Sequence, residues 1–278
     1  MRWTPGGRSD NLDDRRSGGG GMGRGLGIGG TVVVLALSLI TGRNLFSDLG
    51  VQPGISSGGS TMTAEDSARE EPEVQFVSFV LDDVQNTWAK VLPDNNVQFH
   101  PARLVLFRNS TDSGCGPAQS AMGPFYCPVD QKVYIDLGFY DELKTRFGAS
   151  GDFAQAYVLA HELGHHVQHL TGTDARVRQA QEQNPDQANQ YSVRLELQAD
   201  CYAGVWAAST QQRNILSPGD VDEAMTAAAS VGDDRILASE GRRVNVDSFT
   251  HGSAAQRTEW FKRGFQGADL KACNTFGS

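Results

Sequence analysis

The sequence predicts an α+β domain, mostly helical with a small β-sheet, preceded by one transmembrane helix. Two β-rich runs stand ahead of a series of helix-period segments, with no βαβ alternation, which is the order of an α+β fold. Residues 25–42 carry no charged side chain. Residues 73–278 are enough for one self-sufficient core at the usual domain size.

The 278 residues carry 33 acidic against 24 basic side chains, a net charge of −9, and 39% are apolar. That apolar content excludes disorder as the whole account of the chain. The acidic balance, with no clustered Lys and Arg to neutralise phosphates, excludes nucleic acid as a partner.

Residues 1–25 are rich in Gly and charge and poor in apolar side chains, so they are expected to form a disordered tail. The uncharged stretch after them, taken as a helix at about 1.5 Å per residue, reaches roughly 27 Å and just spans a bilayer. It is expected to be an anchor over 26–42. A cleaved leader would show a small-residue site after Ile40, where Thr41, Gly42, Arg43 and Asn44 stand instead, and a core helix would show a polar face. Arg2, Arg8, Arg15, Arg16 and Arg24 precede the segment, with only Arg43 and Arg69 soon after it. The positive-inside rule then keeps the amino terminus cytoplasmic and sends the rest outward, to a periplasmic or extracellular location. Residues 43–72 have linker composition, which starts the folded domain near Glu73.

Within the domain, Val77, Val80, Leu81, Val84, Trp88 and Val91 form one apolar stripe, so 74–92 reads as a helix stopped by Pro93. Residues 103–108 and 132–137 read as strands joined by a long Gly/Pro/Ser loop. A helix capped by Asp152 carries Phe153, Tyr157, Leu163 and Val167 and ends near Gly172. Further helices are expected over 186–212, over 218–239 with Ser217 and Pro218 as cap and first position, and over 254–266. Cys115, Cys127, Cys201 and Cys273 form an even set outside the cytoplasm with no C-x-x-C spacing, so they read as disulfide partners, for which three pairings exist.

The chemistry concentrates in His161-Glu162-Leu163-Gly164-His165, the H-E-x-x-H pattern. An i, i+4 pair shares one helix face, so both imidazoles can reach one ion, while Glu162 lies beside the metal where it can take a proton from activated water. A catalytic zinc needs a third protein ligand and an open position. His169 is about 12 Å along the axis from His161 and cannot join, and His166 points roughly 100° away from His165. Gln168 and Thr171 stand where a metzincin has Gly and His, so that subclass is excluded. Glu196 on the next long helix is the better third ligand, and Asp200, four residues on, can accept the far N–H of a ligand histidine. For the oxyanion of a tetrahedral intermediate, His251 and Arg257 are candidate donors; the alternative for His251 is a cap on the last helix.

HELGHHVQ (161–168), RLELQADCYAGVW (194–206), FTHGSAAQR (249–257), GCGPAQSAMGPFYCPVDQKVYIDL (114–137) and the amino-terminal MRW and DNLDDRR segments together resemble the putative neutral zinc metallopeptidase family of bacteria. The resemblance covers nearly the full length and implies a zincin-like fold and a Zn2+ cofactor. More distantly, E-x-x-A-D after H-E-x-x-H is similar to the membrane-bound heat-shock and CAAX-processing endopeptidases, which implies Glu196 as third ligand and Asp200 as its support.

These readings lead to the expectation of a membrane-anchored zinc endopeptidase acting on peptide or protein substrates, with zinc on His161, His165 and Glu196 and Glu162 as general base. The alternative from another class is a cell-envelope scaffold in which the metal only holds two helices together. The oligomeric state is left open.

Overall fold

The computed structural model describes residues 1–17 and 63–277. In chain order it contains β1 (Leu12–Asp14), α1 (Ala64–Asp94), β2 (Arg103–Phe107), β3 (Ser110–Ser113), β4 (Gly116–Gln119), β5 (Phe125–Cys127), β6 (Lys132–Asp136) and α2 (Gly138–Thr145). There follow α3 (Asp152–Leu170), α4 (Thr173–Gln183), α5 (Ala188–Gln212), α6 (Asp220–Ser230), α7 (Asp233–Ser239) and α8 (Ala254–Gly267). The expected mostly helical α+β architecture is what forms. Among the described residues no helix is long and apolar enough to cross a membrane; the expected anchor over 26–42 lies outside the described residues.

The sheet runs β1-β2-β6-β5, with β1–β2 and β2–β6 parallel and β5–β6 antiparallel. Side chains alternate between its faces. Leu104, Leu106, Val133 and Ile135 join the main core with the helices, while Val105, Phe107, Tyr134 and Phe125 form a second, smaller core with Ala118 and Cys127. The β3–β4 hairpin occupies the loop expected between the two strands, and Cys115–Cys127 closes it. The other pair is Cys201–Cys273, so all four cysteines are bridged.

The expected disordered tail is corrected for residues 1–17. β1 adds to the sheet through the register Leu12↔Leu104, Trp3 sets its ring edge-on to Phe76 at 5.2 Å, and Ser9 Oγ donates to Asp82 at 2.5 Å. Arg16, 4% exposed, is held by Asp14 and by Glu70 at 2.8 Å. Few apolar residues suffice because strand pairing and charge-assisted bonds do the holding.

The domain start near Glu73 is also corrected: α1 begins at Ala64, where Thr63 and Asp66 form a capping box. Pro72 and Pro93 lie inside α1, and Pro72 is exposed, so the carbonyl it leaves unbonded faces water. Other boundaries move for local reasons. Gly151, at φ 122°, caps α3 in place of Asp152, and Gly219 caps α6 in place of Ser217. The helix expected over 186–212 is preceded by α4, and that over 218–239 breaks into α6 and α7 at Gly232, where a Cβ would strike the Ala254 backbone. α2, absent from the expectations, is a short helix whose Tyr140 and Leu143 reach the core.

α3 lies at the centre, packed against α1, α5 and α6, and is buried on nearly every side. Across α5 from it sits α8.

Candidate metal centre

α3 and α5 meet where Gly164 faces Ala199: a Cβ on Gly164 would come within 3.1 Å of the Ala199 carbonyl oxygen. The missing side chain lets the helices approach closely. His161 and His165 flank Gly164 on α3, and Glu196 lies one turn before Ala199 on α5, so the crossing delivers a carboxylate to the paired imidazoles. His161 Nε2 lies 3.2 Å from Glu196 Oε2 and His165 Nε2 lies 3.5 Å from Glu196 Oε1. The two rings are perpendicular, with centroids 4.9 Å apart.

Each histidine has its Nδ1 taken on the far side. His161 Nδ1 lies 2.8 Å from Asp200 Oδ1, and His165 Nδ1 lies 2.8 Å from Gln168 Oε1. Both tautomers therefore leave Nε2 facing Glu196. Tetrahedral donors at about 2.1 Å from zinc stand roughly 3.4 Å apart, and the two Nε2–carboxylate separations match that spacing. Two imidazoles and one carboxylate form a donor set suited to zinc, so the residues fit the ion.

Asp200 is fully buried. Burial works against its charge, but Arg257 and His161 hold its carboxyl below the usual carboxylate range. Arg257 Nε donates to Asp200 Oδ2 at 2.9 Å and its Nη2 to Asp200 Oδ1 at 3.0 Å, while the Tyr157 hydroxyl donates to the same carboxylate. The expectation that Arg257 serves as an oxyanion donor is corrected: the residue is 4% exposed and its guanidinium is engaged behind His161. For Glu196, burial is outweighed by His165, His161 and His251, which hold its pKa well down. His161 moves the other way: against burial, Asp200 and Glu196 raise its pKa to about 9 in the metal-free protein. Glu162 is buried, and desolvation pushes its carboxyl up, only partly countered by the two histidines.

His251 does not cap α8, since Ser253 does, with Gln256 completing a capping box. Its Nδ1 lies 3.2 Å from Asp233 Oδ1, and the backbone N–H groups of Thr250, His251 and Gly252 all donate to Asp233 Oδ2 at 2.7–3.0 Å. Gly252, at φ 89°, lies against Leu197 and Val193, which seats this loop on α5 beside Glu196. Burial opposes its charge, but Asp233 and Glu196 raise the His251 pKa.

His166 and His169 stay out of the centre as expected. His166 sits between the Tyr126 hydroxyl at 3.0 Å and the His100 carbonyl at 2.7 Å, and His169 pairs with Asp174 at 2.9 Å. A second trio of carboxylates, Asp152, Asp220 and Glu223, surrounds the Met1 amino group, which bonds the two aspartates. Sequence reasoning missed Tyr157, Gln168 and Asp233 as partners of the centre. Tyr157 and Gln168 were reachable as i−4 from His161 and i+3 from His165, whereas nothing local marks Asp233.

The family described as putative neutral zinc metallopeptidase matches residues 1–276. "Uncharacterized protein YpfJ" of Escherichia coli (strain K12) is 46% identical over 285 residues, covering 100% of this chain and 99% of that protein. "Uncharacterized protein Rv2575" of Mycobacterium tuberculosis (strain ATCC 25618 / H37Rv) is 46% identical over 206 residues, 70% of this chain and 68% of that protein. No solved structure matches.

Proposed function

The chain belongs to the putative neutral zinc metallopeptidase family, and on that premise we propose that it is a zinc-dependent endopeptidase with His161, His165 and Glu196 as metal ligands and Glu162 as general base. One observation carries the reading: both Nε2 atoms converge on the Glu196 carboxylate while both Nδ1 atoms are held from behind. A zinc ion bound there would supply Lewis acidity to a water and to a carbonyl group.

Glu162 takes the proton of the attacking water and passes it to the leaving amine. Its desolvated setting suits it, because a carboxylate with a raised pKa is a stronger proton acceptor than an exposed one. His251, oriented through Nδ1 by Asp233, donates from its other nitrogen to the carbonyl oxygen as negative charge develops there. Its raised pKa favours the protonated form that makes this donation. Asp200 and Arg257 keep His161 oriented and neither touches substrate.

Three ligands and a separate, buried Glu162 favour catalysis over a metal that merely joins two helices. A closed structural site takes four protein ligands, and Asp200, the candidate for a fourth, is engaged behind His161. Two disulfides support a location outside the cytoplasm.

The test is Glu162→Gln in the full chain, assayed for zinc content and for cleavage of a denatured protein. The expected result is one zinc per chain with cleavage lost. Undiminished cleavage at normal zinc content would overturn the assignment.

A further inference from the structure

We propose that Gln168 is a positioning residue for the metal ligand His165, and that its own orientation is imposed by the Leu195 carbonyl together with Gln198, which the carbonyl of Cys273 turns. The inference rests on His165 being a zinc ligand. It begins from a requirement of that role: for Nε2 to present a lone pair toward Glu196, the proton of the neutral ring must sit on Nδ1.

What fixes that proton is a one-way series of hydrogen bonds. A backbone carbonyl only accepts, so Gln198 must turn its amide NH2 to the Cys273 oxygen, 3.0 Å away, and its oxygen toward Gln168. That oxygen in turn requires the NH2 of Gln168, which donates to it at 3.2 Å and to the Leu195 carbonyl at 2.7 Å. The Gln168 oxygen is then left for His165 Nδ1 at 2.8 Å, which must donate. Reversing either amide would set oxygen against oxygen in a fully buried position, since Gln168 is 0% exposed.

The series has two anchors, and both belong to the framework of the site. Leu195 is the residue before Glu196, so the carbonyl that orients Gln168 is on the helix that carries the third ligand. Cys273 is tied to Cys201 on the same helix by the disulfide, and Thr275 Oγ1 adds a bond to the Arg194 carbonyl at 2.8 Å. Because Leu195 remains when Gln198 is lost, Gln198 ranks below Gln168 in effect. The two ligand histidines are thus supported differently, His161 by a carboxylate paired with an arginine and His165 by neutral amides.

The test compares zinc dissociation constants, by competition with a chelator, for the full chain and its Gln168→Met, Gln198→Met and Gln168→Met/Gln198→Met variants. Thermal unfolding of the zinc-free proteins is followed alongside. Gln168→Met is expected to weaken zinc binding about ten- to a hundredfold, as loss of such partners does. Gln198→Met is expected to weaken it less, and the double variant to be no worse than Gln168→Met, since Gln198 acts only through Gln168. Gln168→Met affinity within twofold of the parent, or strictly additive losses, would overturn the inference while leaving the zinc site standing. If His165→Ala binds zinc as tightly as the parent, the ligand assignment itself fails, and this inference with it.

Discussion

Asp200 Oδ1 accepts from His161 Nδ1 at 2.8 Å, and the same carboxylate is bound by two nitrogens of Arg257. A buried carboxylate placed between an imidazole and a guanidinium stays charged, which is what a metal-ligand support requires.

Arg257→Met removes one side of this buried pair and leaves Asp200 without its strongest partner. A loss of about 3–5 kcal/mol is expected in urea unfolding. Asp200→Asn/Arg257→Met should recover part of that loss, because no buried charge is then uncompensated.

In the zinc-free protein the folded pKa of His161 is about 9 against an ordinary 6.5. Its stabilising contribution is therefore fully present below pH 6.5 and is lost as pH rises through about 9. Zinc must displace the same proton, so binding near pH 7.5 should release about one proton from His161. Calorimetric titrations in two buffers of different ionisation heat measure that release; equal heats in both would contradict it.

Gly164→Ala places a methyl group 3.1 Å from the Ala199 carbonyl oxygen and pushes α3 from α5. A stability loss of about 1–3 kcal/mol and weaker zinc binding are expected together, read by denaturation and chelator competition. Gly264→Ala should be worse, because its Cβ would fall on the Cys201 carbonyl of α5, and little folded protein is expected.

Cys201–Cys273 spans 72 residues and Cys115–Cys127 spans 12. Loop-closure entropy gives about 4 kcal/mol for the first and about 3 kcal/mol for the second. Unfolding of the Cys→Ala pairs should rank them in that order.

His251→Ala should lower kcat about a hundredfold with zinc content unchanged, the usual cost of removing one oxyanion donor. Asp233→Asn should lower it less, since the amide oxygen still accepts from the three backbone N–H groups and holds the loop, while its NH2 replaces the charged acceptor that faces His251 Nδ1. A rise in KM with kcat unchanged would instead assign His251 to substrate binding.

The candidate site was legible because its spacing is local: His161 and His165 share a face through the helix repeat, as do Glu196 and Asp200. That α3 and α5 would touch at Gly164 and Ala199 was not, since the point at which two helices cross is a tertiary choice that no periodicity records. Asp233 escaped for the same reason: it is eighteen residues from His251 and acts mostly on backbone N–H groups. Residues 1–17 were misread because composition reports what can form a core and is silent about a strand that adds to an existing edge. The break at Gly232 was hidden in a continuous helical pattern, because its cause is the neighbouring backbone of Ala254.

The ion pair between Arg16 and Glu70 fastens the chain to itself on either side of residues 18–62. Residues 1–17, expected on the cytoplasmic side, are packed into the same fold as His161 and Glu196, so tags at the two ends of the chain should be shielded from, or open to, an impermeant reagent together.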